Sequence, residues 1–161
     1  MSSLKIHIAS DHGGYELKQH LLSLKSEVFE FIDWGPESIN SVDYPDYSFK
    51  VCQALQSSYE KQDPEIDALK TGVLGLLICG SGQGMCMSAN KFSWIRGALC
   101  WDEKTAQLAR EHNNANILCL GGRIISESLA LDILKLFIET PFQGERHAVR
   151  VKKISQLLSR I

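Results

Sequence analysis

A thiol closes the apolar run Val73–Cys79, and Gly80-Ser81-Gly82-Gln83-Gly84 follows it directly. Three glycines in five residues leave a backbone whose N–H groups can turn together toward an anion. One such anion is the phosphate of a dinucleotide. Its fingerprint, G-x-G-x-x-G, belongs in the first strand-to-helix turn. Here the loop follows the third strand, and the third glycine falls on Met85. Asp102, about 20 residues on, is the one feature that keeps this alternative open, as a ribose-binding acid. The other anion is an oxyanion formed in passing during a reaction, which suits a neighbouring thiol better. A plain tight turn would explain the glycines, but it calls for neither Cys79 nor Ser81.

A cysteine at a strand end is most often a small buried hydrophobe, and Cys52, Cys86, Cys100 and Cys119 read that way. Cys79 differs because the amides after it favour a thiolate. A thiolate serves as nucleophile or as base, so a Cys/His hydrolase or transferase is also open on the residues alone. A second group is basic. Arg146 and Arg150 lie one helical turn apart, with His147 and Lys153 nearby, and Arg123 follows the last strand. Arginines presented together suit a phosphate dianion. Lys152, Lys153 and Arg160 read as ordinary surface charge. His12 follows the first strand, and His112 precedes Asn113 and Asn114. Singly these histidines read as structural. Taken with Cys79 and the glycine nest, and placed at the same sheet edge, they read as one site.

The elements that must carry these residues alternate along 161 residues. Strands are expected at 5–10, 27–34, 73–79, 95–101 and 115–121. Helices are expected at 14–25, 47–61 (capped by Asp46), 102–113, 126–140 (capped by Ser126) and 144–161, with a short one after the glycine loop. The last ends on Ile154, Leu157, Leu158 and Ile161. The polar stretch 62–72 reads as an insertion or a short extra turn. Five strand–helix repeats predict an α/β fold: a three-layer, Rossmann-like, doubly wound sheet of about five parallel strands with helices on both faces. Ligands in such sheets bind beyond the carboxyl ends of the strands.

The totals bound the rest. One domain, 1–161, is expected at this length. A hydrophobic fraction of 44%, a charged fraction of 22% and a net charge of −2 describe an ordinary globular chain. They predict neither nucleic acid nor membrane as a partner. Five cysteines without a C-x-x-C spacing predict free thiols and a cytoplasmic setting. The five histidines show no zinc spacing, so no metal is expected.

The stretches "ASDHGGYELK" (9–18), "DYPDY" (43–47), "ICGSGQGM" (78–85), "ANKFSWIRGALC" (89–100), "AREHNNANILCLGGR" (109–123) and "GERHAVRVKKI" (144–154) run through nearly the whole chain. In order and spacing they resemble the ribose-5-phosphate isomerase B and galactose-6-phosphate isomerase family. The region 56–72 is longer than the family pattern. The resemblance implies an aldose–ketose isomerase of the non-oxidative pentose phosphate branch, working without metal or cofactor through a cis-enediolate. It implies Cys79 as the base, with Ser81 and the amides of Gly82, Gln83 and Gly84 around the enediolate oxygen and Gly80 among the substrate-binding residues. His112, with His12, would open the sugar ring. Asp11, Tyr44 and Asn113 would bind the sugar, and Arg123, Arg146, His147 and Arg150 the phosphate. Some relatives carry a glutamate as base in the glycine loop; that position is Met85 here. The resemblance also implies homodimers or dimers of dimers with sites shared between chains, and a C-terminal helix (145–160) packed on a partner. A hexose 6-phosphate isomerase of the allose or galactose type, or a sugar-phosphate-binding module without turnover, are the other readings.

Overall fold

The computed structural model describes residues 3–157. Strands β1 (Leu4–Ser10), β2 (Phe29–Asp33), β3 (Val73–Cys79), β4 (Gly97–Leu99) and β5 (Ile117–Gly121) alternate with helices. These are α1 (Tyr15–Leu22), α2 (Tyr44–Tyr59), α3 (Gln83–Ala89), α4 (Glu103–Asn113), α5 (Glu127–Glu139) and α6 (Glu145–Ser155). The strands form one parallel sheet in the order β2-β1-β3-β5-β4. Helices α2 and α3 pack on one face, and α1, α4 and α5 on the other. The doubly wound three-layer sheet expected from the alternation is what forms. No described helix is long and apolar enough to cross a membrane.

The central strands follow from their composition. Leu74 to Cys79 and Ile117 to Gly121 are buried throughout, as strands covered by helices on both faces must be. β4 departs from that expectation. Only Gly97–Leu99 pair, and all three are half-buried, because β4 is an edge strand. From β1 the chain moves outward to β2, then crosses back so that β3 lies on the other side of β1. The loops after β1 and β3 therefore part and leave a crevice between them. The Asp11 amide, donating to the Ile78 carbonyl at 3.1 Å, binds the two loops at its base.

Several local expectations are corrected. α2 starts at Tyr44, three residues early, and its N-cap position is Asp43, so Asp46 lies in the first turn. Pro45 at that turn lacks only an N–H that the helix start leaves unpaired anyway. Asp102 caps α4: its carboxylate accepts the Thr105 amide at 2.7 Å. That cap, and not a ribose, accounts for the acid. Of the apolar series at the C-terminus, Ile154 and Leu157 are exposed, while Leu158 and Ile161, like Arg160, lie outside the described residues.

The stretch 62–72 holds more than its polarity suggested. It contains a 3-10 turn (Ala68–Thr71) capped by Asp67. The same carboxylate pairs with Arg110, whose side chain is fully buried, and accepts the Phe142 amide at 3.0 Å. Burial disfavours the charge on Arg110, and Asp67 offsets part of that. Asn114 completes the arrangement from a left-handed backbone (φ 48°). Its side-chain oxygen accepts the Ala68 amide at 2.8 Å, and its Nδ2 donates to the carbonyls of Pro64 and Ile66 at 3.0 and 2.7 Å. The apparent insertion is thus fastened to the end of α4 and to the segment leading into α6. Removing one member of a buried pair strands the other charge, so Asp67→Ala is expected to cost about 3–5 kcal/mol of stability. Urea unfolding at neutral pH measures it, and an unchanged midpoint contradicts the role given to Asp67.

Candidate active site

Cys79 ends β3 at the floor of the crevice, with 4% of its surface accessible. Its sulfur accepts the Gly82 amide at 3.2 Å. That contact requires the chain to turn back sharply after the strand. Gly82 does so with φ +79°, and a Cβ there would lie 2.5 Å from the Leu99 side chain and 2.9 Å from the Leu120 backbone. Glycine alone fits. The Gly82 amide thus faces the sulfur. Ser81 and, in the first turn of α3, Gly84 line the cleft. Ser81 Oγ lies 3.5 Å from the Gln83 amide.

A cleft of about 430 Å³ opens above the sulfur, lined by Asp11, Tyr44, Cys79, Gly80, Ser81, Gly84, Arg123 and Ile124. Each wall has a structural cause. Asp11 is held by the turn after β1, its Oδ1 accepting the amides of Gly13 and Gly14 at 2.8 and 3.0 Å. Tyr44 begins α2, and its ring lies so close to Gly84 that a Cβ there would sit 2.7 Å from it. Arg123 follows β5, where its amide donates to the Gly80 carbonyl at 3.1 Å and brings its guanidinium beside that glycine. Ile124, 65% exposed, is a lining residue that the sequence reading missed; only its place after Gly121-Gly122-Arg123 could have pointed to it. His12 stands next to the cleft, and its Nδ1 accepts the Val42 amide at 3.4 Å. Lys18, fully buried, backs that loop: its ammonium donates to both Asp33 oxygens at 2.8 Å and to the Pro36 carbonyl at 3.0 Å. Gln83 turns to a neighbouring cavity of about 200 Å³ with Ser81 and Trp101.

The remaining candidates form a second group. His112, at the end of α4, stacks face to face on His147 of α6, with ring centroids 4.1 Å apart. Arg146 Nε donates to His147 Nε2 at 3.4 Å. Burial first, then the charges of His112, Arg146 and Arg150, hold the His147 imidazole below its ordinary range. Arg146 and Arg150 are exposed. Asn113 opens on a separate cavity with Asn90, Arg96 and Ile154.

The expectation that Cys79 and His112 share one sheet edge is therefore overturned. Cys79 pairs with Gly121 at the carboxyl end of β5, whereas His112 and Asn113 precede its amino end at Ile117. At about 3.3 Å per residue that strand alone holds its ends about 13 Å apart. The reason is the parallel sheet itself: α4 returns the chain to the starting edge, and α4 ends there. Within one chain the candidates fall into two separate groups. One is a thiol, an anion nest and an arginine; the other is a pair of stacked imidazoles with two arginines.

A crevice at the switch point of a doubly wound sheet is where such folds bind small molecules. The family is settled by comparison with known proteins. Residues 6–154 match the family model described as Ribose/Galactose Isomerase. Ribose-5-phosphate isomerase B of Escherichia coli is 35% identical over 97% of either chain. The crystal structure of a ribose 5-phosphate isomerase from Thermotoga maritima is 44% identical, with a TM-score of 0.82 over 97% of this chain and 100% of that one. Ribose-5-phosphate isomerase B of Mycoplasma genitalium, solved with bound ribulose-5-phosphate, is 38% identical, with a TM-score of 0.86 over 100% of both chains. The chain belongs to the Ribose/Galactose Isomerase family.

Gly82→Ala tests the geometry. It is expected to cost about 1–3 kcal/mol in backbone strain and to lower isomerase turnover about 100-fold by displacing the nest. Thermal unfolding and initial rates report the two effects, and wild-type turnover would dismiss the nest as a mere turn.

Proposed function

We propose that the protein interconverts D-ribose 5-phosphate and D-ribulose 5-phosphate through a cis-enediolate, with sites built from two copies of the chain. The observation that carries this reading is the Cys79 sulfur on the floor of the cleft, accepting the Gly82 amide, with Ser81 and Gly84 beside it. A family relative of the same extent, solved with ribulose-5-phosphate, supports the choice of substrate.

A proton on carbon beside a carbonyl is weakly acidic, and its removal leaves charge on the carbonyl oxygen. Donors fixed in advance at that oxygen lower the barrier, each by about 3 kcal/mol when judged by removal. In this reading the Cys79 thiolate takes the C2 proton of the opened aldose and returns it to C1, the O2 hydroxyl proton passes to O1, and Ser81 and the amides of Gln83 and Gly84 hold the enediolate oxygen. Asp11 and Tyr44 hydrogen-bond sugar hydroxyls. The partner copy brings its own His112 to the ring oxygen, with His12 of the cleft assisting, and its own Asn113 to a sugar hydroxyl. Arg146, His147 and Arg150 of the second copy meet the phosphate together with Arg123 of the first. His147 serves there as a hydrogen-bond partner while the arginines supply the charge. Two half-sites that one sheet keeps at opposite edges are the support for a homodimer, and dimers that pair again would leave this sharing intact. Packing of α6 on a partner follows from the same reading, because α6 carries the phosphate grip. The chain acts as a single isomerase domain, and five free thiols support a cytoplasmic location.

Conversion of ribose 5-phosphate in the presence of a chelator, with allose 6-phosphate and galactose 6-phosphate as comparators, tests the activity and its substrate. Turnover of a hexose phosphate alone would move the assignment. Cys79→Ala is expected to lower kcat about 1,000-fold, the scale of losing a general base, with phosphate affinity retained. Mixing is the sharper test of sharing. Cys79→Ala and His112→Asn proteins, inactive apart, are expected to regain about a quarter of wild-type specific activity when unfolded and refolded together. Half of the dimers are then mixed, and each mixed dimer holds one intact site. No recovery on co-refolding would place Cys79 and His112 in the same chain's site.

A further inference from the structure

We propose that Lys18 is a positioning residue for His12: from its buried place in α1 it holds the loop after β2 where the Val42 amide fixes the His12 ring with its proton on Nε2. Both ends of this tie start from one short segment. His12 lies in the turn between β1 and α1. The Lys18 amide donates to the Gly14 carbonyl at 2.9 Å, so the Lys18 backbone is fastened to that same turn. The side chain is wholly buried, and its ammonium lies over the Tyr15 ring, 5.7 Å from the centroid. From there it grips both Asp33 oxygens and the Pro36 carbonyl. Asp33 passes the hold on: its Oδ1 also accepts the Gly35 amide at 2.9 Å. The Gly35 carbonyl in turn accepts the amide of Ser10, two residues before His12, at 3.0 Å. The Tyr15 hydroxyl donates to the Glu37 carbonyl at 3.1 Å.

Packing does little to hold this loop. Residues 37–41 are exposed, and Trp34, Glu37, Ser38 and Val42 line a cavity of about 650 Å³. Desolvating an ammonium is costly, and a methionine would fill the same space without that cost. What the charge adds is a grip on three oxygens of a segment that packing leaves loose.

The far end of the loop reaches His12, where the Val42 amide donates to Nδ1 at 3.4 Å. A ring nitrogen that accepts a hydrogen bond carries no proton, so the neutral ring holds its proton on Nε2. The consequence for the reaction rests on the isomerase reading. There His12 assists ring opening as a donor through Nε2, and Lys18 keeps that donor in one tautomer and one orientation. Enolisation belongs to Cys79 on β3, outside this chain of bonds.

Proton–nitrogen correlation spectra of protein labelled with 15N-histidine, recorded at alkaline pH, read the tautomer directly, with His12→Gln identifying the signal. In wild type, His12 is expected to show a bare Nδ1 and a protonated Nε2. In Lys18→Met, and in Val42→Pro, which deletes the N–H itself, the two nitrogens are expected to move toward the average of exchanging tautomers. The double variant Lys18→Met, Asp33→Asn leaves no charge without its partner and gives the same reading if the single one does not fold. A protonated Nδ1 in wild type, or a wild-type His12 spectrum in a folded Lys18 variant, would overturn the proposal, whatever the chain isomerises. For the reaction, Lys18→Met is expected to lower kcat on ribose 5-phosphate about tenfold, short of the roughly 100-fold that a misplaced group can cost. Ribulose 5-phosphate has its O5 esterified and stays open, so in the same variant it is expected to exchange a C1 hydrogen with deuterium oxide at the wild-type rate. Equal losses in both would make Lys18 a general support of the fold and refute the positioning role. A wild-type protein that acts on neither sugar would end the isomerase reading and leave the tautomer to stand on its spectra.

Discussion

A parallel sheet sends every strand the same way, so each helix must carry the chain back to the edge it left. Residues that end strands and residues that end the returning helices are held apart by the full width of the sheet. In this protein that rule divides the chemistry. The thiol, the nest and Arg123 end strands; the stacked imidazoles and the arginines of α6 belong to the other edge. In the proposed reading a second copy joins them, and Arg146 and Arg150 are exposed on the single chain.

The strand-end half-site is assembled almost wholly from backbone. The two loops at the switch point are joined by main-chain hydrogen bonds, and Arg123 and Gly122 are bonded in turn to the carbonyls of Gly80 and Cys79. Apart from Asp11, whose Oδ1 accepts the amides of Gly13 and Gly14, few side chains are spent on shaping the cleft. Lys18 is a second exception. Its buried ammonium, satisfied by three oxygens, fixes the loop after β2 and through it the Val42 contact to His12. Three acceptors on one buried cation are what such burial demands.

Much of this was legible in the residues, for stated reasons. β3 matched its expected bounds because an uninterrupted apolar run ending in glycines has few other solutions. Ser126 caps α5 as read, its Oγ accepting the Leu129 amide at 3.2 Å. The cleft residues were found because strand ends, glycines and a thiol fall together in sequence. What escaped depended on distance in sequence. The opposition of Cys79 and His112 needs the strand order, which no local pattern encodes. The shortness of β4 follows from its place at the edge. The meaning of 62–72 was hidden because Arg110, Asn114 and Phe142, which give it purpose, lie 43 to 75 positions from the residues they bind and carry no signature of the contact.

The anchorage of that segment bears on how such a chain can change over generations. A polar loop on a protein surface is ordinarily free to lengthen or shrink. Here one carboxylate clasps the foot of α6 through Phe142, so trimming the loop would unmoor the platform that displays the arginines. Length at 62–72 and the pose of the C-terminal helix are bound to evolve as a pair, although neither belongs to the cleft.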